Sequence, residues 1–103
     1  MANLYATFCR AFPNVYAGQA GDIIVGAGCR TETVAVPGSG TLTAGNGEIA
    51  VLLLADADCW VAVGPSPDTG ADTDGVRAAF PLVSGVAFPV LVQAGDSVAV
   101  ETR

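Results

Sequence analysis

Gly, Pro, Asn and Asp interrupt this chain about every 8 to 12 residues, and the stretches between them are short and mostly apolar. No segment keeps an apolar period of 3.6 residues long enough for a helix. A chain of 103 residues broken at this spacing is expected to fold as one all-β domain. The expected form is a β-sandwich, jelly-roll or small barrel of seven to eight short strands. Its length suits one domain spanning residues 1–103, with 1–12 a candidate N-terminal arm.

The strands can be placed one by one. Leu4 to Phe12 reads as a first strand ending at Pro13, and Gly21 to Ala27 as a second, short and apolar. Thr31 to Val36 alternates, with Thr31, Thr33 and Ala35 on one face and Glu32, Val34 and Val36 on the other. Pro37 to Gly40 reads as a turn, Thr41 to Ala44 as a short strand, and Asn46-Gly47 as a hairpin signal. Glu48 to Ala55 is apolar on both faces and is the expected central, doubly buried strand. Ala57 to Val63 alternates again, setting Cys59, Val61 and Val63 against Asp58, Trp60 and Ala62. A polar loop, Gly64 to Gly75, precedes extended segments at Val76 to Val83 and Val86 to Val92. Pro81 and Pro89 mark these two segments as edges, because proline cannot donate to a ladder. Ala94-Gly95-Asp96 is a turn, and Ser97 to Thr102 closes the domain with Val98 and Val100 inward.

Composition narrows function by exclusion. Hydrophobic residues make up 51% and charged ones 14%, so a surface this poor in charge is expected to be covered in part by a partner. The net charge is −6, and the only cations are Arg10, Arg30, Arg77 and Arg103. Four scattered arginines do not make a nucleic-acid or anionic-membrane surface. The longest apolar run, Ile49 to Ala55, is far short of the ~20 residues of a membrane helix. The first residues lack the cationic start of a secretory signal, so the expectation is a soluble cytoplasmic product. Cys9, Cys29 and Cys59 form no CxxC and are expected to be reduced, buried thiols.

The catalytic repertoire is thin. With no histidine and no lysine, a His-type triad, Schiff-base chemistry and an activated cysteine are excluded. Asp56 and Asp58 could pair as carboxylates, but so small a domain offers little cleft. The expectation is no enzyme, no cofactor and no metal. Asp68, Asp72 and Asp74 share one loop without EF-hand spacing, which reads as a solvated acidic loop, with calcium binding the alternative. Trp60 is either a contact anchor or a core residue. Leu4, Tyr5, Phe8, Trp60, Phe80 and Phe88 are the candidate partner-contact residues.

The second half carries a pattern. Asp58-Cys59-Trp60-Val61-Ala62-Val63-Gly64 is followed by a Pro/Ser/Asp/Thr-rich loop. Next come Phe80-Pro81-Leu82-Val83-Ser84-Gly85-Val86, Phe88, and Val92-Gln93-Ala94-Gly95-Asp96-Ser97-Val98-Ala99-Val100. This layout, over about residues 48 to 100, resembles small tailed-phage virion proteins, with Val83-Ser84-Gly85 where Pro-Ala-Gly is usual. The resemblance implies a β-sandwich or jelly-roll module of the head-decoration, cement or head-fibre type. Such a protein binds the major capsid protein at the capsid surface, as a homo-oligomer whose symmetry-matched form would be a trimer. A tail or connector component and a host-surface or carbohydrate-binding module are the alternatives. Gly95 to Glu101 also resembles the turns of biotinyl and lipoyl carrier domains, but no lysine is present to carry the cofactor.

Overall fold

The structure is a computed structural model that describes residues 2–13, 22–70 and 75–103, with the backbone alone described for 11–13 and 22–26. Among these residues there are eight strands and no helix. They are β1 (Asn3–Pro13), β2 (Asp22–Ala35), β3 (Gly38–Ser39), β4 (Ala50–Ala55), β5 (Cys59–Gly64), β6 (Phe80–Leu82), β7 (Phe88–Leu91) and β8 (Ser97–Thr102). The first sheet has the order β2-β1-β4-β7 and the second β3-β8-β5-β6. Every pairing is antiparallel. The fold is therefore an all-β sandwich of two open sheets.

Side-chain alternation builds the core directly. Leu4, Ala6 and Phe8 of β1 and Val51, Leu53 and Ala55 of β4 point inward from the first sheet. They share one cluster with Cys59 and Val61 of β5 and Val98 and Val100 of β8, closed by Val34, Ala44, Leu82 and Val92. Every fully buried side chain among the described residues is apolar, so burial here carries no polar desolvation cost.

Several details depart from the sequence reading. Residues 3–9 are not a free arm: β1 lies between β2 and β4, because Leu4 and Phe8 belong to the core. The two short strands expected at Gly21 to Ala27 and Thr31 to Val36 are one 14-residue strand, β2, while Gly21 itself is outside the described residues. The join is irregular: the β1–β2 register shifts between Phe8 and Arg10, and Gly28 in β2 takes a φ of 79°, which glycine reaches without strain. The β1–β2 pairing continues to Pro13↔Asp22 whereas β4 stops pairing at Cys9. The two strands thus run on past the sheet as a ribbon.

Thr41 to Ala44 forms no strand. The Glu32 carboxylate accepts hydrogen bonds from the Thr41 and Leu42 amides at 2.8 Å each and from the Thr41 hydroxyl at 2.8 Å. Amides held by a side chain are withdrawn from any ladder. A Cβ at Gly40 would run into the same carboxylate. Gly38–Ser39, read as turn, is instead a short strand on β8. Asn46-Gly47 does form a turn, with the Glu48 amide donating to the Gly45 carbonyl at 3.1 Å and Gly47 at φ 85°, but it leads into β4 from a loop.

The prolines fall where expected. Pro81 is in β6, which pairs only β5, and Pro89 is in β7, which pairs only β4. These edge strands lie on the same side of the sandwich, and Phe80 and Phe88 meet across them with ring centroids 5.4 Å apart.

Neighbouring leucines on β4 test the facing. Leu53→Ala is expected to cost about 3 kcal/mol of unfolding free energy, and Leu54→Ala about 1 kcal/mol or less, measured by urea denaturation. Equal losses would mean that the strand faces are misassigned. Glu32→Ala is expected to cost about 2 kcal/mol through lost charge-assisted bonds to the 41–42 loop, read in the same assay.

Candidate functional site

The outer face of the first sheet is the feature that the core does not absorb. Cross-strand partners share a face, so the register defines it residue by residue. Tyr5 lies between Thr33 and Leu54, and Thr7 between Thr31 and Leu52. Leu52 in turn pairs Pro89, and Ala50 pairs Leu91. None of these positions carries a charge. On the β2 side the face is polar, and the Thr7 and Thr31 hydroxyls are 2.8 Å apart. On the β4–β7 side it is apolar: Tyr5 and Leu54 are exposed, Leu52 is half-buried, and Leu91 is 71% exposed. Ile49 and Val86 are exposed close by in sequence. At one end a shallow depression is lined by Tyr5, Leu54, Ala55, Asp56, Ser84 and Gly85.

This corrects the expectation of a doubly buried central strand. β4 is central, between β1 and β7, but only Val51, Leu53 and Ala55 face the core, and among the described residues no layer covers Leu52 and Leu54. The apolar run Ile49 to Ala55 was the available signal for this surface. It did not distinguish a second buried face from an uncovered one.

The candidate contact residues separate by position. Tyr5 is exposed on the outer face of the first sheet, whereas Phe88, 46% exposed, pairs the core-facing Leu53 at the sandwich edge. Leu4 and Phe8 are buried within this chain and serve packing. Phe80 is half-buried against the core and Phe88. Trp60 lies on the second sheet, pairing Glu101 and Pro81. The Arg77 and Arg103 guanidinium carbons sit 4.7 Å and 5.8 Å from its ring centroid, a cation–π arrangement. Arg77 is further held by the Thr69 carbonyl at 2.7 Å and by Glu101 at 3.2 Å.

The carboxylates tie down the backbone. Asp56 accepts from the Asn3 amide at 2.7 Å, and Asp58 from the Ser84 amide at 2.9 Å. Asp96 accepts from the Gln93 amide at 2.9 Å, closing the turn at Gly95, whose φ is 93°. The Asp56–Asp58 pair is thus spent on two separate loop closures. Asp68 accepts from the Gly70 amide at 2.9 Å, while Asp72 and Asp74 are outside the described residues. Among the described residues no cluster of three metal-ligating side chains occurs.

Glu48 is the electrostatically distinctive acid. It pairs with Arg30, whose Nε lies 3.1 Å from Oε2, and accepts from the Gly45 amide at 2.7 Å. Arg30 also donates to the Thr43 carbonyl at 2.8 Å. The hydrogen bond from Arg30 holds the Glu48 carboxyl below its ordinary pKa, against the opposing effect of burial. Burial pushes the Cys9 and Cys59 thiols up. Cys9 and Cys59 are buried as expected, whereas Cys29, on the edge strand β2, is only half-buried.

No protein-family model matches the chain, and neither a curated protein nor a solved structure matches it.

Because the Glu48 pKa is lowered in the folded state, its contribution to stability is present above the unfolded carboxyl value of ~4.3 and is lost as the pH falls through the folded one. The stability difference between the wild type and Glu48→Gln is expected to be largest near neutral pH and to shrink towards pH 3, measured as urea midpoints. A difference independent of pH would remove the Arg30–Glu48 ion pair from the account.

Proposed function

We propose that this protein is a non-enzymatic virion structural protein, a capsid decoration or cement protein that docks on the major capsid protein through the outer face of its first sheet. The observation that carries this reading is the uncharged apolar surface of Tyr5, Leu52, Leu54, Pro89 and Leu91. Charge depletion with clustered aliphatic and aromatic side chains is the composition of an interface core. The surface lies beside the open edge of β7, to which a neighbouring strand could add. The resemblance of residues 48 to 100 to tailed-phage head proteins supplies the partner.

A protein that binds only the assembled shell stabilises it by mass action. Rigid, positioned apolar contacts are sufficient for that task, and it requires no proton transfer or nucleophile. The carbohydrate-binding alternative is disfavoured because two guanidiniums lie over the only tryptophan, at 4.7 and 5.8 Å from its ring centroid, leaving it poorly placed to stack on a sugar.

The test is to add the purified protein to emptied heads of the cognate phage and follow co-sedimentation and the head melting temperature. Binding with a higher melting temperature is expected. The double variant Leu54→Asp, Leu91→Asp should keep its fold and bind about tenfold or more weakly, a loss of about 1.4 kcal/mol. Absence of binding, or unchanged binding by a folded double variant, would overturn the assignment.

A further inference from the structure

Cys9 and Cys29 are brought together by the fold from 20 positions apart in the sequence. Phe8↔Arg30 is the last β1–β2 pair before the register shifts, and Cys9 and Cys29 are the next residue on each strand. Phe8 and Arg30, a ladder pair, hold the two strands at Cα spacings of about 4.5 to 5.5 Å, and a disulfide between the residues that follow them needs Cα atoms about 4.4 to 6.8 Å apart. Cys29 lies near enough to Cys9 to add to the effect of burial in pushing the Cys9 thiol up. The Cys9 sulfur is otherwise held by the Ala50 carbonyl at 3.6 Å and the Thr7 carbonyl at 3.8 Å. The ladder already departs from regular pairing here, beside Gly28, so the backbone can adjust without breaking a regular pair.

We propose that Cys9 and Cys29 are an oxidisable dithiol that closes an intrachain disulfide at the root of the β1–β2 ribbon when the protein meets a low-molecular-weight disulfide such as oxidised glutathione. The inference rests on the positions of these residues and is independent of the capsid-binding assignment. Accessibility sets the order of steps. Cys29 is half-buried and Cys9 is 1% exposed. The Cys29 thiolate therefore attacks the glutathione disulfide first, forming a Cys29–glutathione mixed disulfide and releasing one glutathione thiolate. The Cys9 thiolate then attacks the Cys29 sulfur, and the second glutathione leaves. Two protein thiols become one disulfide, one oxidised glutathione becomes two reduced ones, and the two thiol protons end on them. Burial, and then the neighbouring Cys29, hold the Cys9 thiol in its protonated form, so the second step is expected to be the slower and to quicken as the pH rises. Cys59 is excluded from the exchange: it is buried in β5 of the opposite sheet and serves as an internal control.

In the experiment, the reduced full-length chain is incubated with oxidised glutathione at about pH 8, close to a free thiol's pKa, and analysed by intact mass, thiol titration in denaturant and tryptic mapping. The expected product is lighter by about 2 Da, the two hydrogens lost, and keeps one titratable thiol of three. Cleavage at Arg10 and Arg30 separates residues 1–10 from 11–30, so the disulfide should appear as these two peptides linked. Cys9→Ser should stop at the Cys29 mixed disulfide, and Cys29→Ser should consume no thiol. The closed form should melt at a higher temperature than the reduced one, because the cross-link restricts the unfolded chain. A wild-type product that stays at the mixed disulfide, a link involving Cys59, or three thiols remaining would each overturn the proposal.

Discussion

The packing of Leu4, Phe8, Val51 and Leu53 from one sheet onto Val61, Leu82, Val98 and Val100 from the other is the constraint on which the remaining features depend. With two layers and one apolar seam, each sheet has one face on the seam, and its opposite face is covered only in part, at Cys9 and Ala50 on the first sheet and Ala62 and Ala99 on the second. The second sheet shields its outer tryptophan with Arg77 and Arg103. The first sheet leaves Tyr5, Leu52, Leu54 and Leu91 without a charged neighbour in the ladder. A chain this small buries a limited share of its surface on folding. Closing that second face against a partner would therefore serve stability as well as recognition.

The acidic balance of the chain has a structural explanation. Six of its ten acids, Glu32, Glu48, Asp56, Asp58, Asp68 and Asp96, accept hydrogen bonds from backbone amides. Long loops between short ladders leave amides without strand partners, and a carboxylate satisfies them with charge-assisted bonds. A net charge of −6 therefore does not by itself call for a basic partner. The same arrangement explains why Asp56 and Asp58, adjacent enough in sequence to suggest paired chemistry, act at two different loops.

The two ends of the β1–β2 pair have different roles. Its inner half is the spine of the first sheet, paired on both sides through Phe8. Its outer half is held by β2 alone, beyond the register shift. The Cys9–Cys29 contact sits at the boundary between them, where a cross-link would fix the direction in which the ribbon leaves the body.

Alternation, a local property, made much of this fold legible. Thr31 to Val36 and Cys59 to Val63 divide between faces as their period of two requires, and Pro81 and Pro89 mark edges because a missing amide cannot serve an inner ladder. The absence of His and Lys was likewise plain in the residues and limits the chemistry. Three things came only from tertiary structure. Ile49 to Ala55 is apolar on both faces, and period alone does not say whether a second layer lies over Leu52 and Leu54. The Glu32 carboxylate claims amides nine and ten residues away, which turns an expected strand into a loop. The meeting of Cys9 with Cys29 depends on a register set by the whole β1–β2 ladder. In each case the deciding contact is non-local, while the sequence pattern encodes only the preference of each strand for a wet face and a dry one.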